Sequence, residues 1–336
     1  MIRALWLSAV RGRGNRGALV RRADVIKSLK YVALGFAALV GAGFAASFLW
    51  PQKTAEVMLK GFVASAGLSR HVVETPLGPV HYLQGGEGET VVFLHGIFAL
   101  KEHWVDMSRQ ISGSHRVILL DLPGFGENPR LSPEAYDLNQ QTKNVQMVLD
   151  AIGVERFHVA ANSMGAHMAM VMAQQAPERV QSVALIGSPI NVAAPELSDM
   201  QKAIEAGQAP LVVTSQEGYE ARMAWLFPDK PPYLPKPIMD KWLAEEVAHA
   251  EINREIWQAV GRSEVPNLEE MAPDVSQPVL ILWCQQDRIF HPSGAAVLAQ
   301  ALPDSTVIMP EGCGHLPMLD RKRASGKEYA EFLKAL

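Results

Sequence analysis

Residues 159–167 read VAANSMGAH, and the fold turns on how this stretch is read. An apolar run suited to a short strand leads to Ser163, and a helical pattern follows it. Ala161 and Gly165 flank the serine at the small-x-Ser-x-Gly spacing of a nucleophile elbow, where the crowded backbone leaves little room for side chains. A serine that merely caps a helix after a buried strand has the same local pattern. A serine hydroxyl is a weak nucleophile alone, so a catalytic reading requires a base, a group that orients the base, and donors for an oxyanion.

The rest of the chain offers each of these. Residues 91–96, VVFLHG, form an apolar run fit for a strand buried on both faces, and it ends in His95-Gly96. The amide of Ile97, with that of Phe98 as the alternative, is placed to meet a developing oxyanion together with the amide of Met164. His95 is read as a brace for this loop. Residues 278–290, PVLILWCQQDRIF, put Asp287 just past another strand, and residues 305–317, STVIMPEGCGHLP, put His315 in a glycine-bearing loop after the last one. The order Ser163, Asp287, His315, each after an expected strand, is the order of a Ser-His-Asp hydrolase on an α/β sheet.

The intervening pattern supports a mostly parallel sheet with helices on both faces. Strands are expected near 71–84, 115–121, 156–161 and 180–187, and helices over 137–152 and from Ser163 towards Pro177. The Gly124-Phe125-Gly126 turn lacks a full phosphate or dinucleotide fingerprint, which excludes a nucleotide site there. From 188 to 277 the composition changes. Helical periods near 197–207, 216–226, 238–249 and 251–260, and the run FPDKPPYLPKP from Phe227 to Pro237, read as a helical cap. Met223, Trp225, Leu226 and Trp242 in the cap, with Phe98 and Leu316 beside the expected site, are the candidate substrate-binding residues. Core residues 71–187 and 278–336 frame that cap.

The amino-terminal part has a different character. Residues 1–30 hold eight Lys or Arg and one acid, Asp24, although the whole chain of 336 residues has a formal net charge of -4. The remainder is acidic, so nucleic-acid binding is not indicated. Tyr31 to Trp50 is a 20-residue uncharged stretch, which at about 1.5 Å per residue matches a bilayer core of roughly 30 Å. We read it as an uncleaved transmembrane anchor, with 1–30 a cytoplasmic tail and the large domain across the membrane, periplasmic in a bacterial inner membrane. Ala33, Ala37, Gly41 and Ala45 make a small-residue stripe that could serve self-association of the anchor. Residues 51–70 are expected to form a connecting helix, lying on the membrane surface or packed on the domain.

From about residue 70 to the end the chain resembles the α/β-hydrolase superfamily through FLHG, DLPGFG, NSMG, the Asp287 loop and GCGH. Within it the chain is most similar to membrane-anchored hydrolases of the monoacylglycerol lipase type, a group that includes mammalian α/β-hydrolase domain-containing protein six and related bacterial lipases. The departures are Ala161 and Cys284, where those proteins usually and often, respectively, have glycine. The resemblance implies hydrolysis of a lipid or other carboxylic ester through an acyl-enzyme, with no metal or organic cofactor. A meta-cleavage carbon–carbon hydrolase also has an elbow like NSMG, but such enzymes usually carry tryptophan where this chain has Leu316. A silent hydrolase fold used for binding is the alternative of another class. Cys284 and Cys313, the two cysteines, precede Asp287 and His315 by three and two residues. Two buried thiols are the first expectation, and a disulfide bracing the acid–histidine pair is the alternative.

Overall fold

The computed structural model describes residues 14–336, so residues 1–13 of the expected basic tail lie outside the described residues. The chain falls into two compact units, one ending at Val57 and the other spanning Met58–Leu336. In the first, one helix runs Gly14–Leu49. Its stretch Lys27–Leu49 is long and apolar enough to cross a membrane, and none of it is buried. Tyr31, Val32, Leu34 and Phe36 stand exposed, as lipid-facing side chains would. Pro51 starts the next helix, Pro51–Ser65, because proline suits a first helical turn that needs no donor.

The second unit is built on an eight-stranded sheet in the order β1-β2-β4-β3-β5-β6-β7-β8. The strands are β1 Ser69–Thr75, β2 Gly78–Gly85, β3 Thr90–Leu94, β4 Arg116–Leu120, β5 Phe157–Ser163, β6 Val180–Pro189, β7 Val279–Leu282 and β8 Ser305–Ile308. β1 and β2 form a hairpin, β2 runs antiparallel to β4, and every later pairing is parallel. The parallel centre needs both faces covered, and its sequences are accordingly continuous apolar runs. Val91 to Leu94, Val117 to Leu120 and Val279 to Leu282 are fully buried. Alternate residues feed two cores, Val92 and Leu94 into one and Val91 and Phe93 into the other.

Helices Leu138–Ile152 and Met164–Gln175 flank this centre. The first is closed at its start by Asp137, whose carboxylate accepts from the amides of Asn139 and Gln140, and at its end by Gly153 in the left-handed conformation. Between β6 and β7 lie Asp199–Glu205, Gln216–Leu226, Lys236–Ala248 and Ala250–Gly261. Ser198 and Gln201 form a capping box at the first of these, and Ser215 accepts from the Gly218 amide at the second. Each such cap is worth about 1 kcal/mol, enough to fix where a short amphipathic helix begins.

Candidate active site

Ser163 is the last residue of β5 and stands at φ 53°, a left-handed conformation that costs a non-glycine residue energy. The parallel strand and the following helix together impose it. Gly165 shows why: a Cβ there would lie 2.6 Å from the carbonyl oxygens of both Leu94 and His95. Ala161 is fully buried in the core beside Leu94 and Leu185, so the methyl group that departs from the usual glycine is accommodated. Asn162 donates from Nδ2 to the carbonyl of Ile186 at 2.8 Å and to that of His315 at 3.1 Å. The residue before the serine thereby ties the elbow to the histidine loop.

Asp287 and His315 meet as the sequence order suggests. His315 Nδ1 is 3.1 Å from Asp287 Oδ2. The other carboxylate oxygen, Oδ1, accepts from the amides of Ile289 at 2.8 Å and Phe290 at 3.2 Å. Ser188, a polar residue ending the apolar strand β6, was not among the sequence candidates. Its hydroxyl donates to Asp287 Oδ2 at 2.6 Å, and its Oγ lies 2.8 Å from His315 Nδ1. An Nδ1 proton shared between Asp287 and Ser188 leaves Nε2 as the basic nitrogen. Ser163 and His315 line one cavity, and no direct hydrogen bond closes between them among the described residues.

The expectation of two buried thiols is corrected by the structure. Cys284 and Cys313 form a disulfide with their Cα atoms 5.5 Å apart. β7 and β8 are adjacent parallel strands, paired from Val279 with Ser305 to Leu282 with Ile308. The segments leaving their ends therefore run side by side, within the reach of about 4.4 to 6.8 Å that a disulfide requires. The bridge links the loops that carry Asp287 and His315.

The loop after β3 is braced from beneath. His95 Nε2 accepts from the Leu122 amide at 3.0 Å, and Nδ1 donates to the Gly96 carbonyl at 2.7 Å. Burial lowers its pKa to about 4, despite the opposing charge of Asp121. The ring is therefore neutral at neutral pH, and its 4.0 Å approach to Asp121 is not an ion pair. Lys101 is buried and contacts Asp121 Oδ2 and Glu127 Oε2, each at 2.5 Å. Burial alone would lower the lysine pKa, but Asp121, Glu102 and Glu127 outweigh it and hold the charged form. Phe98 stands at φ 54°. Neither its N–H nor that of Ile97 has an acceptor among the described residues. Met164 is the first residue of its helix, where an N–H lacks an intrahelical partner.

These parts open onto one cavity of about 470 Å³, a size typical of small-ligand sites. Ile97, Phe98, Met223, Leu226, Trp242 and Leu316 line it as the sequence suggests. Trp225 does not, and this corrects its place among the candidates. Helical geometry turns it off the face shared by Met223 and Leu226, and it packs instead under the Arg288 guanidinium, 4.9 Å from the ring centre. The same periodicity puts Tyr219 and Arg222 on the cavity face, where sequence reading missed them. Met58, Leu59 and Phe62 of the helix Pro51–Ser65 form a further wall. From Met58 onward that helix belongs to the domain: Leu59 and Val63 are buried, and Arg109 donates to the Ser65 carbonyl at 2.5 Å. Tyr233, in the proline-rich run, also borders the cavity and is 89% exposed, which marks it as part of the cavity's rim.

Residues 91–328 match the alpha/beta hydrolase family. The chain belongs to the α/β-hydrolase family. Among solved structures, this hydrolase is similar to a bacterial membrane phospholipase A described as a virulence factor. The two are 32% identical with a TM-score of 0.82, over 91% of this chain and 98% of the other. It is 29% identical to Lipase 1 of Psychrobacter immobilis over 264 residues, which are 76% of this chain and 80% of that lipase. It is 25% identical to monoacylglycerol lipase ABHD6 of Bos taurus over 326 residues, covering 93% of this hydrolase and 96% of the bovine protein. The last match extends over the amino-terminal apolar helix as well as the hydrolase domain.

Proposed function

We propose that this hydrolase is a membrane-anchored serine esterase that cleaves lipid esters, such as monoacylglycerols or short- to medium-chain acyl esters. One observation carries the reading. Ser163, strained at an elbow, shares an apolar cavity with a histidine whose far nitrogen is held by a buried carboxylate. Lipases and monoacylglycerol lipases among its relatives support the substrate class.

In this mechanism His315 Nε2 takes the proton of Ser163 as Oγ attacks the ester carbonyl. Asp287 and Ser188 hold the ring and stabilise its charged form, and the amides of Ile97 and Met164 receive the oxyanion. His315 then gives the proton to the departing alcohol. Water attacks the acyl-enzyme through the same groups with the proton moving in the reverse sense. The apolar cavity walls exclude bulk water and so strengthen each of these interactions.

The apolar helix would hold the enzyme in the bilayer with the hydrolase domain on the periplasmic side of a bacterial inner membrane. The cluster of basic residues before the helix supports that orientation. The disulfide supports it independently, since such bonds persist in oxidising compartments. The test is hydrolysis of nitrophenyl esters by the purified full chain, with a fluorophosphonate probe in parallel. Ser163→Ala should abolish both turnover and labelling. Turnover that survives the substitution would sink the assignment, whereas cleavage of an aryl diketone in preference to an ester would point to carbon–carbon hydrolysis.

A further inference from the structure

The loop of residues 96–100, which carries the Ile97 and Phe98 amides, lies between β3 and the one-turn helix Lys101–Trp104. The Ala99 amide donates to the Gly96 carbonyl at 3.3 Å, so residues 96–99 form a β-turn with Phe98 in its third position at φ 54°. A positive φ at that position is ordinarily left to glycine, and a phenylalanine holds it only where the surroundings impose it. Both ends of the loop are tied to one neighbour, the turn 121–128 that leaves β4. At the entrance the Leu122 amide donates to His95 Nε2 at 3.0 Å, and at the exit the Lys101 amide donates to Asp121 Oδ1 at 2.9 Å.

Asp121 is the node of this arrangement. It is fully buried, and its Oδ2 accepts from Lys101 Nζ at 2.5 Å and from the Glu127 amide at 3.1 Å. Asn128 Nδ2 fixes the same turn by donating to the carbonyls of Asp121 at 2.9 Å and Leu122 at 3.0 Å. Gly126 leaves the carboxylate its room, since a Cβ there would lie 2.2 Å from the Asp121 carboxyl carbon. The buried Lys101 ammonium is shared with Glu127 and Glu102, and Arg70 pairs with both of those acids at 2.8 and 3.0 Å. In a buried ion pair desolvation offsets most of the attraction, so such a pair adds little net stability for the geometry it fixes.

We propose that Asp121 is a positioning residue for acyl transfer: paired with Lys101, it clamps the exit of the loop 96–100 and holds the strained turn with an amide aimed at the oxyanion. Resting on the esterase reading of Ser163, this role reaches the reaction only through the loop. Asp121 does not line the cavity, and it has no bond to Ser163 or His315 among the described residues.

The chemistry of the clamp says how to open it. The three groups that meet the Asp121 carboxylate, the Lys101 amide, the Lys101 ammonium and the Glu127 amide, are all donors. An asparagine of the same shape must turn its NH2 towards a donor whichever way it lies, so it cannot hold both sides. Lys101 keeps Glu127 and Glu102 as partners in that variant, and its charge is not orphaned. Removing an oxyanion donor outright costs about 100- to 1,000-fold in kcat. With His95 still holding the entrance, the donors stay present but less well aimed, and the loss expected is about tenfold. It falls on kcat, because these amides are worth more to the oxyanion than to the ester carbonyl of the ground state.

The test uses the purified full chain in detergent micelles with nitrophenyl butyrate and a trifluoromethyl ketone of the same acyl length, whose adduct with Ser163 carries an oxyanion. Turnover is counted per Ser163 titrated with a fluorophosphonate, so that unfolded protein does not enter it. Asp121→Asn is the first variant, and Gly126→Ala, which displaces the carboxylate from its far side without removing its charge, is the second. Each should lower kcat about tenfold and weaken the ketone by about the same factor, with KM within about twofold. A lower urea midpoint with kcat per titrated site unchanged would overturn the positioning role, and so would a fall in kcat that the ketone affinity does not match. Failure of both variants to give any titratable Ser163 would overturn it too, since the cluster would then serve folding alone. A wild type that neither turns over the ester nor takes the probe would remove the esterase reading itself, which no result on the two variants can do.

Discussion

The two ends of the cavity are built in opposite ways. At the sheet end, Asp287, Ser188 and His315 satisfy one another at 2.6 to 3.1 Å, the carboxylate takes two further backbone donors, and a disulfide ties the loops together. At the other end, Arg222 meets Glu246 and the Tyr219 ring and His103 packs edge-on to Trp242, and each keeps a buried nitrogen without a partner among the described residues. Chemistry requires one geometry held tightly, and parallel strand ends supply it: β6 and β7 are fixed by ladder bonds on both sides, and the edge strand β8 by its ladder to β7 and by the disulfide.

The disulfide gives the sharpest way to break this contrast. It closes a loop of 29 residues, for which chain entropy gives about 3 to 4 kcal/mol of stability. The paired substitution Cys284→Ala with Cys313→Ala should lower the urea midpoint accordingly and reduce kcat more than KM, since it loosens the acid–histidine pair and leaves the cap alone. A loss seen mainly in KM would mean that the bridge supports the cap. The expectation of two free thiols failed for a physical reason. Sequence shows that Cys284 and Cys313 each follow a strand, but not that those strands are neighbours in the sheet.

Other parts of the fold were legible to different degrees. The strands could be read because Val91 to Leu94 and Val279 to Leu282 are buried on both faces and carry unbroken apolar runs. Ser163, Asp287 and His315 could be located because each follows such a run. Ser188 also ends one, but a serine at the end of a strand has no pattern of its own, and its role emerges only when β6 is placed between β5 and β7. In the cap, choosing large apolar residues captured Met223 and Leu226 but also admitted Trp225. The helical period through Tyr219, Arg222, Met223 and Leu226 would have excluded the tryptophan and found the arginine. The apolar bias failed because the cavity wall also carries polar side chains, Arg222 and Glu246 among them.

Ser188 sharpens the comparison at the sheet end. Its hydroxyl is the third member of the ring with Asp287 and His315, so Ser188→Ala removes one donor to the carboxylate and frees the imidazole to rock. About a tenfold fall in kcat is expected, with KM nearly unchanged. A fall in stability with kcat unchanged would assign Ser188 to packing alone.

The smallest effect concerns what the tight end costs the fold. Asp320 accepts from the Gly314 amide at 2.8 Å, one residue before His315. Burial, with lesser contributions from the charges of Asp229 and Asp287, raises its pKa from the ordinary 3.8 to about 6. Between those values the folded state binds the proton more tightly than the unfolded chain, so this carboxylate lowers stability as pH rises from about 4 to about 6, and its full cost remains above that. Asp320→Asn keeps an acceptor for Gly314 and removes the charge. It should stabilise the protein by about 1 kcal/mol at pH 7.5, less than the whole shift implies because the group is partly exposed, and by nothing below pH 4. His95 and His167, both held neutral by burial with pKa lowered to about 4, act in the opposite sense. Their stability is complete above about pH 6.5 and is lost as the pH falls towards 4. Urea titrations of the wild type and Asp320→Asn at several pH values separate the two contributions. The difference between the proteins isolates the carboxylate, and the acid limb they share reports the histidines. A gain for Asp320→Asn that is equal at pH 4 and pH 7.5 would show that the substitution acts through packing, and that the histidine loop carries no electrostatic cost.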